Sequence, residues 1–245
     1  MKITVITASK NNSSTLQDCL DSVFQQTYND IEHILVDSSE DKISLDIIDK
    51  NKHKIDKIIF QKPSGIYHAL NTGLKNAHGD IIGILHADDQ FYNKNILSNV
   101  AFNFKNKKIL ALYGNIKLVG KNYSRIWISG NYNVNNFKKG WHPPHTSIFI
   151  SKKLYLKHGF FNTKYTIASD YELILRFFYS KKENIFYLNK FIVTMLIGGK
   201  STKSIKNIIL SNFEVYKILK ENKIKFKILV IVRKILYKIN QIKFF

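Results

Sequence analysis

What most limits the folds open to this chain is a regular alternation in its first half, where short β-branched and aliphatic runs are followed by stretches with helical spacing. The runs are Ile3–Thr7, Ile31–Val36, Ile55–Phe60 and Ile81–Leu85; the stretches between them are Ser13–Gln26, Asp41–Lys50 and Tyr67–Ala77. Such alternation predicts an α/β fold, a mostly parallel sheet covered by helices. In the first helical stretch Leu16, Cys19, Leu20, Val23 and Phe24 share one face, so Cys19 reads as core packing, and Ser13 or Ser14 stands where a cap is wanted.

Beyond Leu110 the pattern loosens. Leu110–Val119 and Arg125–Ser129 read as strands, and a polar, aromatic loop from Asn131 to Trp141 leads into His142-Pro143-Pro144-His145. Helical spacing resumes over Ala168–Tyr179, and Ile185–Leu188 and Phe191–Leu196 read as a strand pair. From Lys200 onward there are twelve Lys/Arg against Glu214 and Glu221, half of the chain's formal net charge of +20. Ile224, Ile228, Ile231, Ile235, Ile239 and Ile242 recur beside those lysines. The pattern fits two readings, an amphipathic helix for an anionic leaflet or a docked helix with a solvated lysine face.

Other features narrow the function classes. The single cysteine excludes an internal disulfide framework and a thiolate metal cluster, which fits a reducing compartment. The first apolar run is too short for the core of a secretory signal, and no apolar run approaches the ~20 residues that span a bilayer. Neither G-x-x-x-x-G-K-[ST] nor a G-x-G-x-x-G after the first strand occurs, which removes support from P-loop hydrolysis and dinucleotide redox chemistry. The basic charge admits a nucleic-acid binder, but no recognition motif accompanies it, and no nucleic-acid partner is expected.

Open parallel sheets bind ligands beyond the carboxyl ends of their strands. There the sequence places Thr7, Ser9 and Asn11, then Asp37-Ser38-Ser39, then Lys62-Pro63-Ser64-Gly65, then His86-Ala87-Asp88-Asp89. Asp37 is placed either to bind a ribose or base or to close a turn. Asp88 and Asp89 offer hard oxygen ligands for Mg²⁺ or Mn²⁺, or a helix cap.

Taken in order, five segments resemble the inverting family 2 glycosyltransferases of GT-A fold, of the bacterial surface-polysaccharide kind. They are Ile3–Asn11, Ile34–Ser39, Gly65–Gly73, Ala77–Asp89 and Ile167–Leu173. The resemblance implies a Rossmann-like, mixed and mostly parallel sheet flanked by helices over residues 1–199, with a nucleotide half to about 105 and an acceptor half from about 106. Residues 200–245 then form a basic helical tail. It implies transfer of a sugar from a nucleotide-sugar donor to a glycan or isoprenoid-diphosphate-linked acceptor, at the cytoplasmic face of a membrane that the tail would touch. Thr7, Ser9, Asn11, Asp37, Gly65, Tyr67, Asn71 and His86 are then expected at the donor, and Asp88 with Asp89 at Mg²⁺ or Mn²⁺. Asp170 is expected as general base, and His145 and Trp141 at the acceptor or diphosphate. The chain departs from the family pattern at His86 and Ser169, where carboxylates are usual, and at Ser64 and His68. A sugar nucleotidyltransferase, which shares the sheet and the metal, would need a glycine- and arginine-bearing loop after the first strand; Ser9–Ser14 contains neither.

Overall fold

The structure is a computed structural model that describes residues 1–120, 123–179, 184–197, 204–239 and 241–244. The expected boundary at residues 199 and 200, and Lys203 of the basic tail, lie outside the described residues.

The alternation becomes β1 (Ile3–Ser9), α1 (Leu16–Phe24), β2 (Ile31–Asp37), α2 (Lys42–Asn51), β3 (Lys57–Phe60), α3 (Ile66–Asn76) and β4 (Ile81–Ile84). These four strands are parallel in the order β4-β1-β2-β3. Every residue of β1 is buried, as a central strand with both faces covered requires. On one face Ile6, Ile34 and Val36 pack with Tyr67, Leu70 and Leu74 of α3; on the other Ile3 and Val5 pack with Cys19 and Val23 of α1. Neither Ser13 nor Ser14 caps α1. The helix follows Thr15, and the N–H groups of Thr15 and Leu16 donate to the Asn12 carbonyl at 3.1 and 2.9 Å, so a turn takes the place of a side-chain cap.

The remaining elements are β5 (Asp89–Phe91), α4 (Ile96–Lys107), β6 (Ala111–Val119), β7 (Tyr123–Trp127), β8 (Ile148–Ser151), α5 (Lys152–His158), α6 (Ser169–Phe178), β9 (Ile185–Leu196), α7 (Ile205–Glu221), α8 (Lys227–Ile239) and β10 (Ile242–Phe244). They extend the sheet antiparallel from β4 through β8, β6, β7 and β10. The expected strand pair at 185–196 is instead one long strand. Both halves run parallel to β6, and a register shift beside Asn115 absorbs the polar Asn189-Lys190 step without reversing the chain.

The tail differs from a single helix. α7 and α8 are separated at Asn222–Phe226, where Lys223 and Phe226 adopt left-handed φ of 54° and Ile224 is buried. Both helices dock: Val215, Ile218 and Leu219 of α7 and Val230 of α8 join the cluster that holds Tyr171 and Phe177 of α6. α8 sits so close to the loop before β8 that a Cβ on Gly140, whose φ is +84°, would lie 2.6 Å from the Val230 carbonyl. Several apolar residues of α8 nevertheless face outward. Ile228 is 71% exposed and Leu236 53%, whereas Lys234 is 8% exposed.

Candidate active site

At the rim formed by the carboxyl ends of the parallel strands, the turn after β4 meets the loop before β8 and the starts of α3 and α6 through a chain of polar contacts. β4 ends in the turn 86–89, closed by the Asp89 N–H donating to the His86 carbonyl at 2.9 Å, and the Cys19 thiol donates to the same carbonyl at 3.2 Å. The turn presents His86, whose Nε2 lies 2.8 Å from Nε2 of His145. His145 Nδ1 lies 3.1 Å from Asp170 Oδ2. Asp170 Oδ1 accepts from the Tyr171 N–H at 2.8 Å and from the Tyr67 hydroxyl at 3.3 Å.

Two facing rings 2.8 Å apart cannot both present an N–H, so at most one of His86 and His145 is an imidazolium. Burial, and then the charge of His145, hold His86 down to about 3, which keeps it neutral. Burial alone would push the Asp170 carboxyl up, but His145 and the Tyr171 N–H outweigh it and hold the group below the usual carboxylate range. Burial, with Asp170 beside it, pushes the Tyr67 phenol well above 10, so Tyr67 stays a donor, chiefly to the Ile167 carbonyl at 2.6 Å.

The start of α6 has no side-chain cap of its own, because Ala168 occupies that position. Glu214 of α7 supplies one. Its Oε1 accepts from the Thr166 N–H and hydroxyl at 2.8 and 2.9 Å, and its Oε2 from the N–H groups of Ile167 and Ala168 at 2.9 and 2.8 Å. The segment that delivers Asp170 is thus fixed by the tail.

The other expected residues divide into those on the rim and those beneath it. Asp88 is half-buried in the turn, beside His86. Asp89 is turned into the core, its carboxylate oxygens without a hydrogen-bond partner among the described residues, and burial followed by the charge of Asp88 pushes its carboxyl well up. Asp37 is buried and accepts from the Ser39 N–H and hydroxyl, both at 2.8 Å, so it closes the turn after β2. Asn11, at a left-handed φ of 52°, ties this turn to β1: its Oδ1 accepts from the Glu40 N–H at 2.9 Å and its own N–H donates to Ser39 Oγ. Thr7 lies under the rim, its hydroxyl 3.0 Å from His33 Nε2, and Ser9 Oγ is buried without a hydrogen-bond partner among the described residues. Gly65, at a φ of +104° with open space where a Cβ would stand, starts α3. Asn71 uses both ends of its amide on the Phe161 backbone at 2.9 Å, which makes it a clasp between α3 and the loop before α6.

Trp141 is not placed to stack on a sugar. It is buried against Tyr113 and Phe137 and donates its indole N–H to the Ser129 carbonyl at 2.6 Å. Among the described residues no group of three or more His, Cys, Asp or Glu is arranged to hold a metal. The donor set at the rim still suits a cation that keeps most of its waters and binds one carboxylate, with Asp88 as that carboxylate and Asp89 excluded by its burial. Sequence reasoning missed Glu214 and Lys234. Their one signal was position: an acid between Phe213 and Val215, and a lysine four residues after Val230 on the same helical face.

Comparison with known proteins places this fold in a family. The model of the family described as Glycosyl transferase family 2 matches residues 4–173. A PGL/p-HBAD biosynthesis glycosyltransferase of Mycobacterium bovis (strain BCG / Pasteur 1173P2) is 28% identical over 178 residues, 71% of this chain and 68% of the relative. The structure of S. aureus TarS superposes with a TM-score of 0.66 at 18% identity, covering 90% of this chain, which spans 42% of that one. S. aureus TarS 1-349 in complex with UDP-GlcNAc gives 0.67 at 17% identity over 98% of this chain and 73% of that one. A mannosyltransferase from Pyrobaculum calidifontis in complex with GDP-Man and Mn²⁺ gives 0.67 at 16% identity over 96% and 69%. With a family match over more than half its length and a GT-A fold, this chain belongs to glycosyl transferase family 2.

Proposed function

We propose that this chain transfers a sugar from a nucleotide-sugar donor to a hydroxyl of a glycan or isoprenoid-diphosphate-linked acceptor, with inversion at the anomeric carbon. The observation that carries this reading is the ionised Asp170, held at the rim by His145, Tyr67 and the Tyr171 N–H, across the two histidines from the turn of Asp88. In the reaction the acceptor oxygen bonds to the anomeric carbon, Asp170 takes the hydroxyl proton, and the nucleoside diphosphate leaves from the opposite face with the bonding pair. A positioned base of this kind is worth ~10²–10⁴ in rate. Ser9, Asn11, Asp37 and Gly65 frame the nucleoside end, and His86 and His145 the diphosphate end. Asp88 would hold Mg²⁺ or Mn²⁺, which when bound neutralises charge on the leaving diphosphate.

The test is a panel of nucleotide-sugars with Mg²⁺ or Mn²⁺, read by donor hydrolysis and thermal stabilisation. Asp88→Ala is expected to abolish metal-dependent donor binding, while Asp170→Asn keeps binding and loses transfer. The reverse pattern overturns the assignment.

The tail supports a location at the inner face of an anionic membrane. Ile228, Leu229, Val232, Ile235, Leu236 and Ile239 are exposed on α8 amid lysines, which is the composition of an interfacial helix. No helix among the described residues is long and apolar enough to cross a bilayer. Anionic liposomes at low salt are expected to bind the chain and release it as salt rises; equal indifference to anionic and neutral liposomes refutes this part.

A further inference from the structure

The two tail helices are held by different means. α7 buries Val215, Ile218 and Leu219 together with the clasping Glu214, whereas α8 turns inward a face of Val230, Ile231, Lys234 and Lys238. Outward it turns Ile228, Leu229, Val232, Ile235, Leu236 and Ile239. A docked helix normally does the reverse. Lysine is almost never this buried unless paired, and burial, with Lys238 beside it, pushes Lys234 down to about 7. α8 rests on the short helix Val134–Lys139, on Gly140 and on Tyr171, with Lys234 Nζ 5.3 Å from the Tyr171 ring centroid. Tyr171 meets His142 edge-on at 5.3 Å and its N–H donates to Asp170, so α8 covers the side of α6 next to that carboxylate. At its far end the Tyr237 hydroxyl donates to the Ile128 carbonyl at 3.0 Å, and the three-residue edge strand β10 pairs with β7. The link back to α7, Asn222–Phe226, holds Lys223 and Phe226 at left-handed φ, which L side chains adopt at a cost.

We propose that α8 is a cover that an anionic bilayer lifts from the side of α6 next to Asp170. In the docked position two costs stand together, apolar area exposed outside and an ammonium desolvated inside. Inserting the outer face with α8 still docked would relieve the first alone. Swinging out about Asn222–Phe226 relieves both: the aliphatic side chains enter the acyl boundary, and Lys234 and Lys238 return to water and lipid phosphates. Exposed Lys220, Lys223, Lys225 and Arg233 match an anionic surface and repel a second copy of the chain. The regulatory role rests on the glycosyltransferase reading, with transfer switched on where a lipid-linked acceptor lies; the movement itself does not.

The test is hydrogen exchange of the full chain at low salt, alone and with vesicles of phosphatidylcholine or of phosphatidylcholine mixed with phosphatidylglycerol, with binding followed by co-sedimentation. The mixed vesicles are expected to bind the chain and to speed exchange over residues 134–142 roughly tenfold while α7 keeps its protection. Lys234→Met removes the buried charge, so it should bind these vesicles but open roughly tenfold less, and in vesicle-free buffer it should melt no lower than the parent. The exposed-site control Lys225→Met should open as the parent does. Binding with unchanged or slower exchange over 134–142 means that α8 inserts without leaving its seat; it overturns the cover and leaves the membrane location standing. Equal opening in Lys234→Met, an equal loss in Lys225→Met, or a lower melt of Lys234→Met also overturns it. Indifference to both vesicles overturns it together with the membrane location. A dimer in vesicle-free buffer, with exchange unmoved by vesicles, gives the outer face to a second copy and overturns it too. Because transfer is not read, absence of turnover would count against the glycosyltransferase reading and leave the movement standing.

Discussion

The central strands β1 and β2 and the last helix, α8, differ in what they bury. In β1, β2 and α1 the apolar residues face inward, and Ile6, Leu20 and Leu35 are wholly buried. In α8 Ile228, Ile235 and Ile239 face outward and a lysine faces in, while Val230 and Ile231 pack on the core. The first region buries apolar side chains together with hydrogen-bonded polar ones such as Thr4 with Glu32, whereas the second carries a desolvation cost at Lys234 and leaves apolar area exposed, so its design answers to something beyond folding.

The sharpest way to break this comparison is at the residue where the two regions meet. Asp170→Asn should lower transfer by ~10²–10⁴, seen in kcat with donor affinity unchanged. Leu35→Ala, in the strand region, should cost about 2–5 kcal/mol in denaturant unfolding. Glu214→Ala strips the acceptor from three backbone N–H groups ahead of α6; it should cost about 1–3 kcal/mol and lower kcat through misplaced Asp170. Glu214→Gln, which keeps an acceptor, should recover part of both.

Lys234→Met should run the other way and stabilise the fold by about 1–3 kcal/mol at pH 7, because it removes a poorly solvated charge. The folded chain holds the Lys234 proton less firmly than the unfolded chain does. Between pH about 7 and the usual lysine range the unfolded state therefore binds more protons, and stability should rise with pH across that window in the parent but not in the variant. The smallest effect belongs to Ile235→Ser on the outer face: within about 0.5 kcal/mol in stability, with liposome binding reduced.

The strand region is legible because period and burial coincide there. The runs from Ile3 to Leu85 point to the parallel strands, and the residues after each run mark the rim where His86 and Asp88 stand. Side chains that end on backbone are harder to read. Asp37 and Asn71 read as donor contacts in sequence; in the fold Asp37 also closes the turn after β2 and Asn71 clasps Phe161, partners that residue type does not announce. Trp141 misleads for a related reason: an aromatic in a polar loop looks exposed until Tyr113 and Phe137 cover it. The tail is legible as basic and amphipathic, but not the close approach of α8 to Gly140 or the burial of Lys234.

The Glu214 clasp has a practical bearing. Trimming the lysine-rich end of this protein to improve its handling would also remove the carboxylate on which the Thr166–Ala168 amides terminate. An inactive shortened protein would then report a loosened loop, and screens for its substrates would be judging the wrong molecule.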